Sequence, residues 1–166
     1  MPIPPVDPTA PSTLGQRLVT PFAKSTAGRW WLMHVARRID PTLVRLSRGH
    51  VSSLMVTPEV LLTTTGARTG LPRTAPLVYF TDADRVVLVA SNFGQHKHPA
   101  WYHNVLAHPE VTLYAGGYEG RFTGAPATGA ERERLWGLVT QLSSAYAAYE
   151  TMTAGREIPV MVFTEL

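Results

Sequence analysis

The stretch VLLTTTGARTGLPRTAPLVYFTDADRVVLVA, residues 60–90, decides the fold. Val60–Thr65 and Pro76–Thr81 are β-branched and aromatic runs, each too short for a helix, and Arg85–Ala90 is an almost unbroken apolar run. Runs of this length and composition suit pleated strands, and the third reads by its apolar continuity as an interior strand. Asp82-Ala83-Asp84 makes a tight turn between the second and third strands, while TGARTGLPR is a longer, glycine-bearing connection between the first two. Three strands in hairpin order therefore open the folded body.

Downstream, Pro99 opens a helix over AWYHNVLAH that stops before Pro109. Val111–Ala115 and Gly120–Pro126 are strands joined around Gly116-Gly117, a long helix is predicted from Ala130 to Thr151, and Ile158–Phe163 is the last strand. Six or so mostly antiparallel strands, with one helix after the third and one before the last, predict an α+β mixed barrel. A doubly wound sheet would alternate strand and helix. Upstream, the proline-rich residues 1–12 read as a disordered tail, and 13–50 as a broken, basic helical extension. Leu14, Leu18 and Phe22 share one helical face there, and Asp40-Pro41 reads as a cap with proline in the first helical position. Residues 51–166 form the barrel domain.

A chain of 166 residues, 45 % hydrophobic and 16 % charged, has the size and composition of one folded domain. It has no cysteine, which excludes disulfides, thiolate metal sites, iron–sulfur clusters and thiol nucleophiles. No basic start followed by an apolar run suggests a signal peptide, and no apolar stretch is long enough to span a membrane, so a cytoplasmic location is expected. The net charge of +3 is uneven: residues 1–50 hold seven cations against Asp7 and Asp40, leaving the body mildly acidic. The basic segment is either a solvated helix face or a patch for an anionic membrane surface or partner.

Three stretches carry candidate chemistry. In Gly66-Ala67-Arg68-Thr69-Gly70-Leu71-Pro72-Arg73, two glycines allow a tight turn with convergent N–H groups, and Arg68 and Arg73 flank it with planar donors for phosphate or carboxylate. A hairpin loop with two solvated arginines has the same pattern. It is neither a Walker loop nor a dinucleotide fingerprint. In Ala90–Asn104 a buried strand ends in Ser91 and Asn92, loops through Gly94 and enters a helix bearing Trp101, Tyr102 and Asn104. Trp101 offers a flat wall for a ring, or packs in the core. His96, His98, His103 and His108 lack ligand spacing and a carboxylate partner, so no metal is expected. Tyr146 and Tyr149 lie three apart on one helix face, as a catalytic pair or a core pair, and no serine elbow supports hydrolysis.

Together, LLTTTGARTGLPRTAPLVYF, VVLVASNFGQHKHPAWYHNVLAHPEVTLYAGG and YAAYETMTAGREIPVMVF resemble the deazaflavin (coenzyme F420)-dependent nitroreductase family, and the likeness covers about residues 28–166. The resemblance implies a split β-barrel that transfers a hydride from reduced coenzyme F420 to a nitroaromatic, quinone or activated alkene. It assigns Ala67, Arg68, Thr69 and Arg73 to the phosphate and acidic tail of the coenzyme. Thr74, Ala75, Pro76, Leu77, Ala90, Ser91 and Asn92 would line the deazaflavin, with Trp101 and Asn104 completing the pocket. Tyr146, Tyr149 and Ser91 would face the substrate, Tyr146 as the proton donor or orienting group. Ala67 stands where many relatives carry a basic residue, and Ser143 where some carry a third tyrosine. Competing readings are a barrel using flavin mononucleotide and a non-catalytic membrane- or ligand-binding barrel. The expected partner is a small hydride acceptor without nucleic acid, with weak membrane-surface association through 13–50 and a monomer or weak dimer in solution.

Overall fold

The computed structural model describes residues 3–10, 21, 25–31, 35, 42, 44–45, 58–153 and 155–166. Within them, α1 (Thr26–Trp31) precedes β1 (Glu59–Thr65), β2 (Pro72–Asp82) and β3 (Arg85–Val89). A single 3-10 turn (Asn92–Gly94) leads to α2 (Ala100–Ala107), β4 (Glu110–Ala115) and β5 (Tyr118–Pro126). Two helices follow, α3 (Gly129–Leu142) and α4 (Ser144–Met152), before β6 (Val160–Glu165). The six strands form a closed, antiparallel barrel in the order β1-β2-β3-β6-β5-β4, and β4 returns to β1 with Leu113 opposite Leu62. Closure removes the exposed sheet edges that an open six-stranded sheet would leave.

Side-chain alternation explains the apolar runs. Val60, Leu62, Tyr79, Val86, Leu88, Phe122, Met161 and Phe163 point into the barrel. On the outer face Phe80, Val87, Val160 and Val162 pack under Leu135 and Val139 of α3. β3 and β6 are thus covered on both sides, as the unbroken RVVLV and VMVF segments require. Each fully buried aliphatic side chain contributes about 1.5–3 kcal/mol. The fit inside is close: a Cβ on Gly124 would lie 2.5 Å from the Phe163 ring and 2.8 Å from Val105.

Besides the bounds of β5, which begins at Tyr118 rather than Gly120, and of β6, which runs Val160–Glu165 rather than Ile158–Phe163, three features differ from the sequence reading. β2 begins at Pro72 rather than at Pro76, because its ladder with β1 runs from Thr65 opposite Pro72 to Glu59 opposite Val78. The β1–β2 connection is correspondingly shorter. The single helix expected over 130–151 is two helices. Ser143 is extended (φ −157°, ψ 128°); its N–H bonds Val139 O at 3.2 Å, and its Oγ accepts from Ala145 N at 3.2 Å. A side-chain cap of this kind starts a new helix in a new direction, and α4 packs against the 92–94 turn.

The third difference is the proline-rich start, expected as a disordered tail. Ile3 is buried in the barrel cluster, and the Tyr79 hydroxyl donates to Pro4 O at 3.0 Å. Thr81 N donates to Val6 O, and Val6 N to Thr81 Oγ1. Proline locks an extended conformation that lies along a strand without needing its own N–H, so a composition that reads as a tail also suits a strap. Of the basic extension, Val44 is buried, and the Arg45 guanidinium pairs with Glu119 at 3.2 Å and lies over Tyr114. Thr26–Trp31 of the extension is helical as α1, while Leu14, Leu18, Phe22 and the Asp40-Pro41 cap lie outside the described residues.

Candidate active site

The β1–β2 connection is built around Gly66. Gly66 N donates to Leu71 O (2.9 Å), and Gly66 O accepts from Thr69 N and Gly70 N at 3.2 and 2.8 Å. A side chain on Gly66 would collide with Thr69 Oγ1 and Leu71 O, while Gly70 turns the chain at φ +66°. Asn104, buried on α2, braces the loop from below. Its Oδ1 accepts from Ala67 N at 3.0 Å, and its Nδ2 donates to Thr64 Oγ1 at 3.0 Å. A buried amide satisfied on both sides fixes one loop geometry.

These bonds revise the anion-loop idea. The N–H groups of Gly66, Ala67, Thr69, Gly70 and Leu71 are all engaged within the protein, so they do not form a cradle. The anion-binding capacity rests instead on the side chains of Arg68 and Arg73. Both are exposed, and among the described residues neither pairs with a carboxylate. Thr74 is exposed beside Thr63, their hydroxyls 2.9 Å apart, and Ala75, Pro76 and Leu77 follow as half-buried residues of β2. Two unpaired guanidiniums on a braced loop fit a phosphate or oligocarboxylate group.

The second cluster forms where β3 ends. Ala90 is fully buried, and Ser91 immediately precedes the 92–94 turn, in which Asn92 and Phe93 both adopt left-handed backbone (φ 49° and 54°). Asn92 Nδ2 donates to Lys97 O at 2.8 Å and Gln95 Oε1 at 3.2 Å. The Phe93 ring meets Tyr149 edge-on at 6.2 Å, and Tyr149 meets Tyr146 edge-on at 6.1 Å. Tyr149 is buried and Tyr146 half-buried. Burial, and secondarily the neighbouring Tyr149, push the Tyr146 phenol well above the usual tyrosine range. Its hydroxyl therefore stays protonated at physiological pH. Ser91 and the tyrosine pair are thus brought to one region through Phe93, as α4 packs on the 92–94 turn.

Trp101 is only 7 % exposed and belongs to the barrel core. The structure thus places it in the packing role that the sequence left open. α2 links the two clusters: its N-terminal approach carries the 90–99 segment, and Asn104 on it holds the arginine loop. One residue escaped the sequence reading altogether. Arg156, just before β6, donates from Nη2 to Ser91 O and Gln95 O, both at 2.9 Å, and from Nε to Gln95 O at 3.1 Å. Its Nη1 lies 2.9 Å from His98 Nδ1. No spacing rule links residue 156 to 91 and 95; the closest available sign was an arginine placed just before an apolar strand. Among the described residues no group of three or more His, Asp or Glu is arranged to hold a metal ion.

A closed barrel, a braced cationic loop and a tyrosine-lined turn define a split-barrel redox protein suited to a flat, anionic carrier. A family model described as F420H(2)-dependent quinone reductase matches residues 36–165. An F420H(2)-dependent quinone reductase of Mycobacterium tuberculosis is 35 % identical over 144 residues, covering 82 % of this chain and 96 % of the relative. The solved structure of an F420-H2 dependent reductase, FDR-A, superposes with a TM-score of 0.59 at 40 % identity, over 64 % of this chain and 93 % of that one. Another solved structure, a domain-swapped dimer, gives 0.60 at 35 % identity, over 74 % and 94 %. The chain belongs to the F420H(2)-dependent quinone reductase family. It is an oxidoreductase that uses reduced coenzyme F420 as its hydride donor.

Proposed function

We propose that the chain reduces a small quinone-type acceptor, with nitroaromatics and activated alkenes as further acceptors, in the site between the arginine loop and the tyrosine pair. The observation that carries this reading is the pair of exposed guanidiniums, Arg68 and Arg73, neither paired with a carboxylate among the described residues, on a loop fixed by Asn104. They bind the phosphate and acidic tail of the coenzyme, assisted by the Thr69 hydroxyl. Thr74–Leu77 and Ala90–Asn92 line the ring, and Ala67 and Asn104 hold the loop in place. Trp101 supports the pocket from the core. Bound there, the coenzyme supplies the hydride, and reduction of a quinone to a hydroquinone needs one proton besides. Tyr146 donates a hydrogen bond, and then a proton, to the acceptor oxygen, with water restoring its hydroxyl; Tyr149 and Ser91 orient the acceptor.

Purified protein titrated with F420 and separately with flavin mononucleotide tests the cofactor reading. Oxidation of the reduced deazaflavin by a quinone such as menadione then tests turnover. Preferential binding of flavin mononucleotide, or deazaflavin binding without turnover, would overturn this assignment. A second observation favours a surface location: Trp30 and Trp31 are 56 % and 42 % exposed, adjacent on α1 within the basic extension. We assign that extension to weak contact with the anionic inner face of a membrane, where a quinone also partitions. In solution the protein is taken as a monomer or weak dimer.

A further inference from the structure

We propose that Arg156 is a positioning residue for the reaction: its guanidinium holds the strained Ser91–Gln95 turn in the one geometry that presents Ser91 and Asn92 to the coenzyme. This rests on the assignment of residues 90–92 to the coenzyme ring.

The turn is costly by itself. Left-handed backbone costs roughly 1–2 kcal/mol per residue away from glycine, and Asn92 and Phe93 adopt it in succession. Asparagine tolerates the conformation through local side-chain bonds, and Asn92 makes them; phenylalanine has no such compensation. Within the turn, Gly94 N bonds Ser91 O and Gln95 N bonds Asn92 O, both at 3.1 Å. Those bonds close the turn but attach it to nothing else.

Arg156 supplies an attachment from a different part of the chain. Its guanidinium binds the carbonyls of Ser91 and Gln95, which bracket the strained pair, and lies 3.5 Å from Ala90 O at the end of β3. One planar group thus fixes both ends of the turn against β6, which β3 itself pairs. Only guanidinium offers donors in a fixed plane to separate acceptors; an ammonium is a point donor on a flexible stem. The acidic neighbour Glu157 does not take the charge, being paired with Arg132 at 2.9 Å. The Arg156 head group is therefore committed to carbonyl oxygens and His98. That commitment is what a positioning role demands and a surface ion pair does not. The turn also seats Phe93 on Tyr149, so release of Ser91 and Gln95 loosens the substrate wall together with the ring-binding edge.

The test uses the full chain with Arg156→Ala, Arg156→Lys and Arg73→Ala. Without coenzyme, amide exchange across residues 91–98 should quicken by at least about tenfold in Arg156→Ala while exchange in β1 and β4 stays as in the native protein. F420 affinity should weaken by at least about tenfold, the scale of one charge-assisted bond. Added guanidinium chloride at low concentration should recover part of it where sodium chloride does not. Arg156→Lys keeps the charge and stem and should recover less than half of the lost affinity. If Arg156→Ala does not fold, Arg156→Lys alone decides: native affinity and native exchange in it overturn the proposal. A lowered Tm with F420 affinity and kcat within about twofold of native, measured well below Tm, also overturns it by showing a purely structural role. Arg73→Ala separates the two levels. Weakened binding in Arg73→Ala but not in Arg156→Ala defeats the positioning role alone, whereas native binding in both defeats the site assignment itself.

Discussion

Arg73 lies at the start of β2, where the loop passes into the ladder with β1, opposite Thr64, whose hydroxyl donates to the Arg73 carbonyl. Its backbone is therefore fixed while its guanidinium stays exposed, so replacement removes a ligand contact without disturbing the fold. Arg73→Ala should weaken F420 binding by about 1.5–3 kcal/mol, the scale of a charge-assisted hydrogen bond, with Tm almost unchanged. Equilibrium titration at moderate salt measures it, and native affinity would reduce the residue to a solvated hairpin arginine. Tyr146 acts on the other side of the reaction. Its raised phenol pKa makes it a stable donor of hydrogen bonds rather than a base. Tyr146→Phe should leave F420 affinity unchanged and lower kcat by at least about tenfold, general acid catalysis being worth 10²–10⁴-fold. Tyr149→Phe is the control, since its ring buttresses Phe93. If neither change nor the pair slows turnover, the proton comes from water or Ser91. The arginines, the tyrosine pair and Ser91 could be proposed from the sequence because such side chains announce their chemistry by type and spacing. The bracing of the loop by Asn104 and the hold of Arg156 on Ser91 and Gln95 were not legible, because both are contacts between segments far apart in sequence.

The β2–β3 hairpin shows how an element is secured from outside. Asp82 accepts from Arg134 of α3 at 2.8 Å to each oxygen and from Arg85 at 2.6 Å, while Arg85 also reaches Glu131 at 2.7 Å. Hydrogen bonding from Arg134, then from Arg85, holds the Asp82 carboxyl at about 2, against desolvation that opposes it. A folded-state pKa below the unfolded value of 3.8 means stability that is full above that value and lost as pH falls toward 2. Asp82→Asn should cost about 1–2 kcal/mol at neutral pH and flatten that acid limb, read by urea unfolding across pH 2–5. The opposite sign governs Tyr79, whose phenol burial raises to about 12. Its folded state keeps the proton that the unfolded chain loses near 10, so stability should fall between pH 10 and 12 by roughly 1–3 kcal/mol. Tyr79→Phe should remove its share of that decline, while loosening the hold on Pro4. The strands were legible because β-branched and aromatic runs too short for a helix show directly in the sequence, and the unbroken apolar runs of β3 and β6 match their burial on both faces. The helix break at Ser143 was not, since the apolar stripe continues from Leu142 to Tyr146 and only a one-residue side-chain cap interrupts it. The N-terminal strap was missed because prolines suit a docked extended segment as well as a loose one.

At the scale of the whole molecule, the cationic segment precedes in sequence the stretches that carry the candidate chemistry. Residues 1–50 carry a formal +5 and the remainder −2, and the exposed Trp30 and Trp31 lie in the positive part. Among the described residues no helix is long and apolar enough to cross a membrane. Adjacent tryptophans with cations around them are the composition of an interfacial helix, whose binding combines apolar insertion with attraction to anionic lipid. The rival arrangement, in which the extension packs on the barrel, has support at Val44 and at Arg45 with Glu119 and Tyr114. The two are compatible if the stretch around residues 44–45 anchors the extension while the tryptophans remain outward. Each Lys or Arg near an anionic surface contributes about 1 kcal/mol, screened within a Debye length, so the association should be weak and salt-sensitive. Co-sedimentation with vesicles rich in anionic lipid should therefore be measurable at low salt, fall at physiological salt, and be largely absent with zwitterionic vesicles. Trp30→Ala with Trp31→Ala should abolish it while F420 binding and quinone turnover in solution stay native, since neither residue belongs to the site. Arg45→Ala should act differently, loosening the anchor on Glu119 with little effect on vesicle binding. No sedimentation of the native protein even at low salt would sink the membrane assignment and leave the tryptophans as a contact for some other surface.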